Sequence, residues 1–236
     1  MKQGGRFRRN RVAITRETGW PKPVKSACLG QRERTEDWTE LGRGLTRRGL
    51  RSPLLVVTDG APGLIRAVDE LWPDADRGRC TVHRLRNVLA KLPDRPGLHA
   101  RVRAAYWAAL DGATSPQEAE HGLRVLVGQL SAEFPSAAAC LADDLAALTV
   151  HLRYPLRLKK RLRSTNLLER SLEEVRRRTK VIGRFPGETS CLTMAWAVMD
   201  LVIAGAHGLG LTLPDRHAIA ALVAARAVPQ TDEAIA

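Results

Sequence analysis

Aromatic side chains make up only 4% of this 236-residue chain, which argues against a surface that holds single-stranded nucleic acid by stacking bases on rings. Cysteine is scarcer still: Cys28, Cys80, Cys140 and Cys191 lie far apart and form no C-x-x-C pair. Neither a disulfide scaffold nor a four-thiolate zinc site is therefore expected, and a reducing cytoplasm is the expected compartment. The longest apolar stretch, CLTMAWAVMDLVIAGAHGLGL from Cys191, carries Asp200, His207 and several glycines. It is read as a core helix, and no membrane partner is expected. MKQGGRFRRNR at the start has no apolar h-region, so it is not read as a secretory signal. Internal repeats, a Gly-Ser linker and a heptad array are also missing.

Acids are outnumbered. Lys and Arg total 38 against 25 Asp and Glu, for a net charge of +13 and a pI near 10.6, a balance that points to a polyanion, with nucleic acid the leading candidate. The charge is concentrated. Residues 1–51 hold fourteen Lys/Arg against five acids, and residues 151–184 hold twelve against three Glu, while the Ala/Leu-rich stretch between them is near neutral.

At 44% apolar content the chain can bury one sizeable core with an insertion, or two small domains. Residues 1–22 are Arg-rich and irregular, with a short extended candidate at Arg11–Thr15, and VKSACLG (24–30) is a weak strand candidate. EDWTELGRGLTRRG (36–49) has acids in its first turn, arginines in its last and a terminal Gly49, which predicts a helix. LLVV (54–57) is apolar on both faces, as in a central strand of a covered sheet. Pro62 opens a predicted helix to about Trp72, with Leu64, Val68, Leu71 and Trp72 on one face. The segment RCTV leads to a helix over RLRNVLAKL, and residues 98–150 read as helical throughout. Within them Ser115, Pro116 and Glu118 predict a capping-box start.

Four features could carry chemistry. Asp59 follows a strand at the edge where α/β sheets bind ligands, and its carboxylate suits Mg²⁺; it could equally form the Asp-Gly turn or cap the next helix. Glu169 could be a second acid, or the third helical residue after an Asn166 N-cap, with Glu173 and Glu174 pairing Arg177 and Arg178. Cys80 and His83 supply a soft and a borderline ligand at C-x-x-H spacing. A structural zinc needs four, so a buried thiol beside a histidine that orients the strand end is the plainer reading. Finally, Arg157, Lys159, Lys160, Arg161, Arg163, Arg176, Arg177 and Arg178 flank Glu169. They are either solvated or phosphate contacts, and their position favours phosphate.

TDGAPGLIRAV, RCTVHRLRNVLAKLP, AYWAAL and STNLLERSLEEVRRRTKVIGRFPGETS, taken in order over roughly residues 24–205, resemble the mutator-type family of bacterial insertion-sequence transposases. The resemblance implies an α/β, RNase H-like core with an α-helical insertion. It implies catalysis by an Asp, Asp and Glu triad that binds two divalent metals, Mg²⁺ or Mn²⁺, for phosphoryl transfer on DNA. Asp59 matches the second Asp, and Glu169 matches the Glu of the T-N-x-x-E-R segment. Cys80 and His83 match the family's C-x-x-H motif.

The first Asp has no counterpart: residues 1–36 contain none, and Asp37 falls at the start of a predicted helix. The expectation is an N-terminally truncated transposase that lacks part of its sheet, folds incompletely and is inactive alone. The expected organisation is a divergent basic segment over 1–22, the core over 23–95 and 151–210, the insertion over 96–150 and a tail over 211–236. The expected partners are insertion-sequence ends and target DNA, another copy, or an intact transposase. The alternatives are a catalytically silent DNA-binding regulator and a structural domain whose Asp59 and Glu169 are caps.

Overall fold

The computed structural model describes residues 34–206 and 208–227. The strand candidates at 11–15 and 24–30, Cys28, and the last residues of the expected tail lie outside them. The described chain is a mostly helical α/β protein with one small parallel sheet.

Helix α1 spans Thr35–Arg47 with Glu36 and Asp37 in its first turn and Arg47 in its last, charges matched to the helix dipole. Gly49 at φ +99° stops it. Strand β1, Leu55–Thr58, is followed by α2, Pro62–Leu71, and β2, Asp76–Arg79. The strands pair in parallel from Leu55↔Asp76 to Thr58↔Arg79, making a β-α-β unit. α1 lies against α2, and a side chain at buried Gly42 would collide with Leu71.

The structure departs from the sequence expectation at the sheet. β1 is not the centre of a doubly covered sheet among the described residues: it has one strand partner, and Leu55–Val57 are half-buried. Strand β2 was not anticipated, because Asp-Arg-Gly-Arg has no apolar residue. It holds its place through backbone pairing and through Asp76, which takes ion pairs from Arg153 at 3.0 Å and Arg226 at 2.7 Å.

The main hydrophobic core sits in the helical stretch after the sheet: α3 (Thr81–Leu89), α4 (Leu98–Gly112), α5 (Pro116–Ser131), α6 (Pro135–Ala142) and α7 (Leu145–Thr149). Val88, Tyr106, Leu110, Leu123, Leu141 and Leu148 are fully enclosed there. Two polar ties fasten α3 to the rest of this bundle. The Tyr106 hydroxyl donates to the Thr81 carbonyl at 2.9 Å. The buried Arg84 guanidinium donates to the Cys140 carbonyl at 2.5 Å and to Asp143 at 2.8 Å.

Two short 3₁₀ turns and α8 (Lys159–Leu162) lead to α9 (Asn166–Thr179), α10 (Glu188–Ala204) and α11 (Leu213–Ala227). Arg226 returns α11 to the sheet, donating to the Leu54 carbonyl at 2.9 Å and to Asp76. The reading of the apolar stretch from Cys191 as a core helix is corrected. α10 buries only Val198 and exposes Met194, Trp196, Leu201 and Ile203, because it packs on α9 and the described residues leave its other faces open. Among the described residues no helix is long and apolar enough to cross a membrane.

Candidate functional site

Parallel strands that end together deliver their next residues to one edge. β1 and β2 finish at the Thr58–Arg79 pair, so Asp59 and Cys80 leave the sheet side by side, and the Cys80 amide donates to the Thr58 carbonyl at 2.7 Å. Asp59 is exposed. Its Oδ1 accepts from the Ala61 amide at 3.1 Å, an Asx turn. Helix α2 is capped at Ala61 without a side-chain bond, so Asp59 serves the turn and not the cap. Gly60, at φ +99°, lies directly under the Arg79 guanidinium, where a Cβ would overlap it. Burial, and then the neighbouring Arg84, lower the Arg79 pKa, while Asp143, Asp144 and Asp59 act in the opposite direction.

The second half of the site arrives from far along the chain. The Arg163 carbonyl accepts from the Thr81 amide at 2.9 Å and the Thr81 hydroxyl at 3.0 Å, which joins the loop before α9 to the first turn of α3. Thr165 follows. Its amide donates to Cys80 Sγ at 3.4 Å, and its hydroxyl lies 3.4 Å from that sulfur, 3.4 Å from His83 Nδ1 and 2.8 Å from Glu169 Oε1, to which it donates. His83 Nε2 is 3.8 Å from the same Oε1. Cys80 is fully buried; His83 and Glu169 are partly exposed.

The N-cap assignment shifts by one residue. Thr165, not Asn166, is the N-cap of α9, and its hydroxyl is turned to the Glu169 carboxylate instead of a backbone amide. The signal for Thr165 in the sequence is a Thr at i with a Glu at i+4 across a helix start.

Cys80, His83 and Glu169 offer one ligand atom each within 4.8 Å of one another, a grouping that includes a thiol, an imidazole and a carboxylate. Asp59 is outside that grouping. It is the residue after Thr58, whose carbonyl holds Cys80, so the two carboxylates of interest border one sheet edge with Cys80 between their anchoring points.

The basic residues divide into two sets. Arg163 pairs with Asp111 at 2.6 Å and stacks over Trp107 at 4.5 Å, and Lys159 donates to the Asp111 carbonyl at 2.6 Å. Arg157 pairs with Asp215, which that guanidinium and Thr212 hold at a pKa of about 2. Arg161 donates to the Gly208 carbonyl at 2.7 Å. These four are therefore structural ties. Arg177 and Arg178 both grip Glu174 and hold it at about 2, whereas the expected Glu173–Arg177 pair does not form. Lys160 and Arg176 are exposed and make no side-chain bond among the described residues.

A parallel β-α-β edge followed by Asp59, with Glu169 of α9 tied to it through Thr165 and Cys80, stands at the end of a sheet where α/β proteins place their ligands. The family model described as Transposase, Mutator family matches residues 10–202, most of the chain. The chain belongs to the Mutator family of transposases. It is 35% identical over 178 residues to the transposase for insertion sequence element IS6120 of Mycolicibacterium smegmatis, covering 74% of this chain and 53% of that protein. It is 33% identical over 187 residues to the transposase for ISRM5 of Rhizobium meliloti, covering 79% and 46%. It is 32% identical over 191 residues to the transposase for IST2 of Acidithiobacillus ferrooxidans, covering 79% and 62%. The chain thus spans about half the length of the curated relatives it matches.

Proposed function

We propose that this chain is a DNA-directed phosphoryl-transfer domain of an insertion-sequence transposase, with an RNase H-like core in which Asp59 and Glu169 are ligands for divalent cations. What supports this reading is a chain of hydrogen bonds: Glu169, 110 positions after Asp59, is tied through Thr165 and Cys80 to Thr58, the residue that precedes Asp59. Neither acid is spent on capping a helix through its own side chain.

The donor set fits a hard cation such as Mg²⁺ or Mn²⁺. Asp59 commits one oxygen to the Ala61 amide and presents the rest of its carboxylate to solvent. Glu169 is held through one oxygen by Thr165. Asp59 and Glu169 would hold divalent cations, which would supply Lewis-acid activation of an attacking oxygen and charge stabilisation for phosphoryl displacement. The protein's own part is placement: Gly60 lets the backbone turn beneath Arg79, and Thr165 fixes the rotamer of Glu169. Lys160 and Arg176 are free to take DNA phosphates, which position the strand without reading its bases.

Residues 1–36 contain no Asp, so this chain contributes two carboxylates to a chemistry that relies on three in the family it resembles. Strand transfer by the chain alone is therefore weak or absent, while DNA binding persists. The free Lys160 and Arg176 and the net charge of +13 also support a second reading, a silent DNA-binding regulator.

The test is to incubate the protein with terminal-repeat DNA and Mg²⁺ or Mn²⁺, alongside Asp59→Ala and Glu169→Ala. Nicking lost in both variants establishes catalysis and refutes the predicted inactivity. Salt-sensitive binding without cleavage supports the regulator, with the log–log salt slope falling by about one for Lys160→Ala and for Arg176→Ala. No binding overturns both readings.

A further inference from the structure

Mg²⁺ has little use for sulfur or imidazole, yet the other metal-ligating side chains grouped with Glu169 are a thiol and an imidazole. Cys80 is the N-cap of α3 and His83 lies in its first turn, while Glu169 comes from the first turn of α9, so two segments more than 80 residues apart aim at one point. Zinc binds thiolate, imidazole and carboxylate at about 2.0–2.3 Å, which sets neighbouring donors of a tetrahedral site roughly 3.3–3.8 Å apart. The His83 Nε2 to Glu169 Oε1 distance is already 3.8 Å. All three donors fall within 4.8 Å, so closure takes side-chain shifts of about one ångström.

The surroundings fit a thiophilic site. Zinc-binding histidines usually donate their other ring nitrogen to an oxygen, and here Nδ1 lies 3.4 Å from the Thr165 hydroxyl, which leaves Nε2 for the cation. The same hydroxyl orients Glu169, and the Thr165 amide donates to Cys80 Sγ, an interaction that supports a metal-bound thiolate. The sulfur is fully buried and held by backbone bonds on both sides, Cys80 to Thr58 and Thr81 to Arg163. His83 and Glu169 keep 27% and 33% of their side chains exposed, which provides the entry path and room for a water as fourth ligand.

We propose that Cys80, His83 and Glu169 form a binding site for a thiophilic divalent cation of the Zn²⁺ class, and that its occupancy withdraws Glu169 from the hard-cation site shared with Asp59. The thiol proton passes to solvent as the sulfur binds. The first half stands on the three donors alone; the second rests on the function proposed above. Zinc then acts as an inhibitor that competes with Mg²⁺ for a single carboxylate.

The experiment titrates Co²⁺ into the full chain under a non-coordinating reductant. One equivalent is expected to produce a sulfur-to-cobalt charge-transfer band together with intense visible bands of tetrahedral Co²⁺, displaced by Zn²⁺ and not by excess Mg²⁺. Cys80→Ser abolishes the charge-transfer band, His83→Ala and Glu169→Gln each weaken binding at least about tenfold, and Cys191→Ser changes nothing. His83 is partly exposed, so its variant keeps the test independent of any folding defect at buried Cys80. A missing charge-transfer band in the wild type, or one that survives His83→Ala undiminished or disappears in Cys191→Ser, overturns the site.

Competition is read by Mn²⁺ electron paramagnetic resonance. Zn²⁺ should weaken Mn²⁺ binding in the wild type and not in His83→Ala, and Asp59→Asn should abolish Mn²⁺ binding while leaving the cobalt spectrum intact. A cobalt site without any Mn²⁺ site sinks the competition and the catalytic reading but upholds the thiophilic site. Mn²⁺ binding without the cobalt spectrum does the reverse.

Discussion

Thr165 has one hydroxyl proton and two lone pairs, and three neighbours claim them. The hydroxyl donates to Glu169 at 2.8 Å and lies 3.4 Å from both the Cys80 sulfur and His83 Nδ1, so a single side chain touches every member of the cluster. Asp59 and Glu169 were legible as acids worth testing because their local patterns, an acid after an apolar strand and an acid one turn into a helix, are visible in the sequence. Thr165 was not, because its value comes from contacts made across more than 80 residues. His151 was equally invisible and carries a measurable consequence. It is 2% exposed, and its Nε2 is buried without a partner. Burial first, then the Arg163 and Lys159 charges, push its pKa down to about 4, against the pull of the Leu148 backbone and Asp111. In the unfolded chain the same ring titrates near 6.5. Its folded pKa is depressed, so the unfolded state binds the extra proton first: the contribution to stability is complete above about pH 6.5 and is lost as pH falls towards 4. Urea denaturation across that interval should show a loss on the order of 3 kcal/mol at most, and His151→Gln should flatten it. An unchanged slope in that variant would assign the acid sensitivity to other groups.

At the scale of elements, legibility followed local chemistry. α1 and α5 could be read because their ends are written in side chains. Ser115 accepts from the Glu118 amide at 3.3 Å as a cap should, although Glu118 returns its carboxylate to Thr114, at 2.8 Å from the amide, instead of closing the box on Ser115. β2 could not be read because its signal is a backbone ladder and ion pairs supplied by Arg153 and Arg226, both far along the chain. α10 was misplaced in the core because composition alone cannot distinguish a helix that is covered from one that is not. The strand-turn-helix junction at Asp59 depends on Gly60 for two separate reasons, a positive φ and the overlying Arg79 guanidinium. Gly60→Ala should therefore cost about 1–3 kcal/mol. Arg79 can move only by giving up its present packing, so the variant should also displace Asp59 and weaken Mn²⁺ binding. Gly112→Ala, with open space around it in the last turn of α4, is the control and should be neutral or slightly stabilising. Equal losses in the two variants would remove the special role assigned to Gly60.

Across the whole molecule, apolar surface is distributed unevenly. The bundle from α3 to α7 encloses most of the fully buried large side chains, whereas α9 buries only Ser171 and leaves Leu167 at 76%, Leu168 at 56% and Leu172 at 49% exposure. Free energy of folding follows apolar area removed from water, so the helical stretch between the two halves of the site is the stable platform. The Glu169-bearing helix is held to that platform mainly by polar ties at its start: Thr81 to Arg163, Thr165 to Cys80, and Arg163 to Asp111 and Trp107. This division also explains why fold and site differ in legibility, since the core repeats at helical spacing while the site depends on a few long-range hydrogen bonds. Leu123→Ala, in the enclosed centre of α5, should lower stability by about 2–5 kcal/mol. Leu168→Ala, on the open face of α9, should change it by no more than about 0.5 kcal/mol, and both are read from urea midpoints followed by far-UV circular dichroism. Hydrogen exchange should likewise be slow in α4 and α5 and fast in α9. If Leu168→Ala costs as much as Leu123→Ala, then α9 is packed in solution against something beyond the described residues, and the two-zone account of this molecule fails at that point.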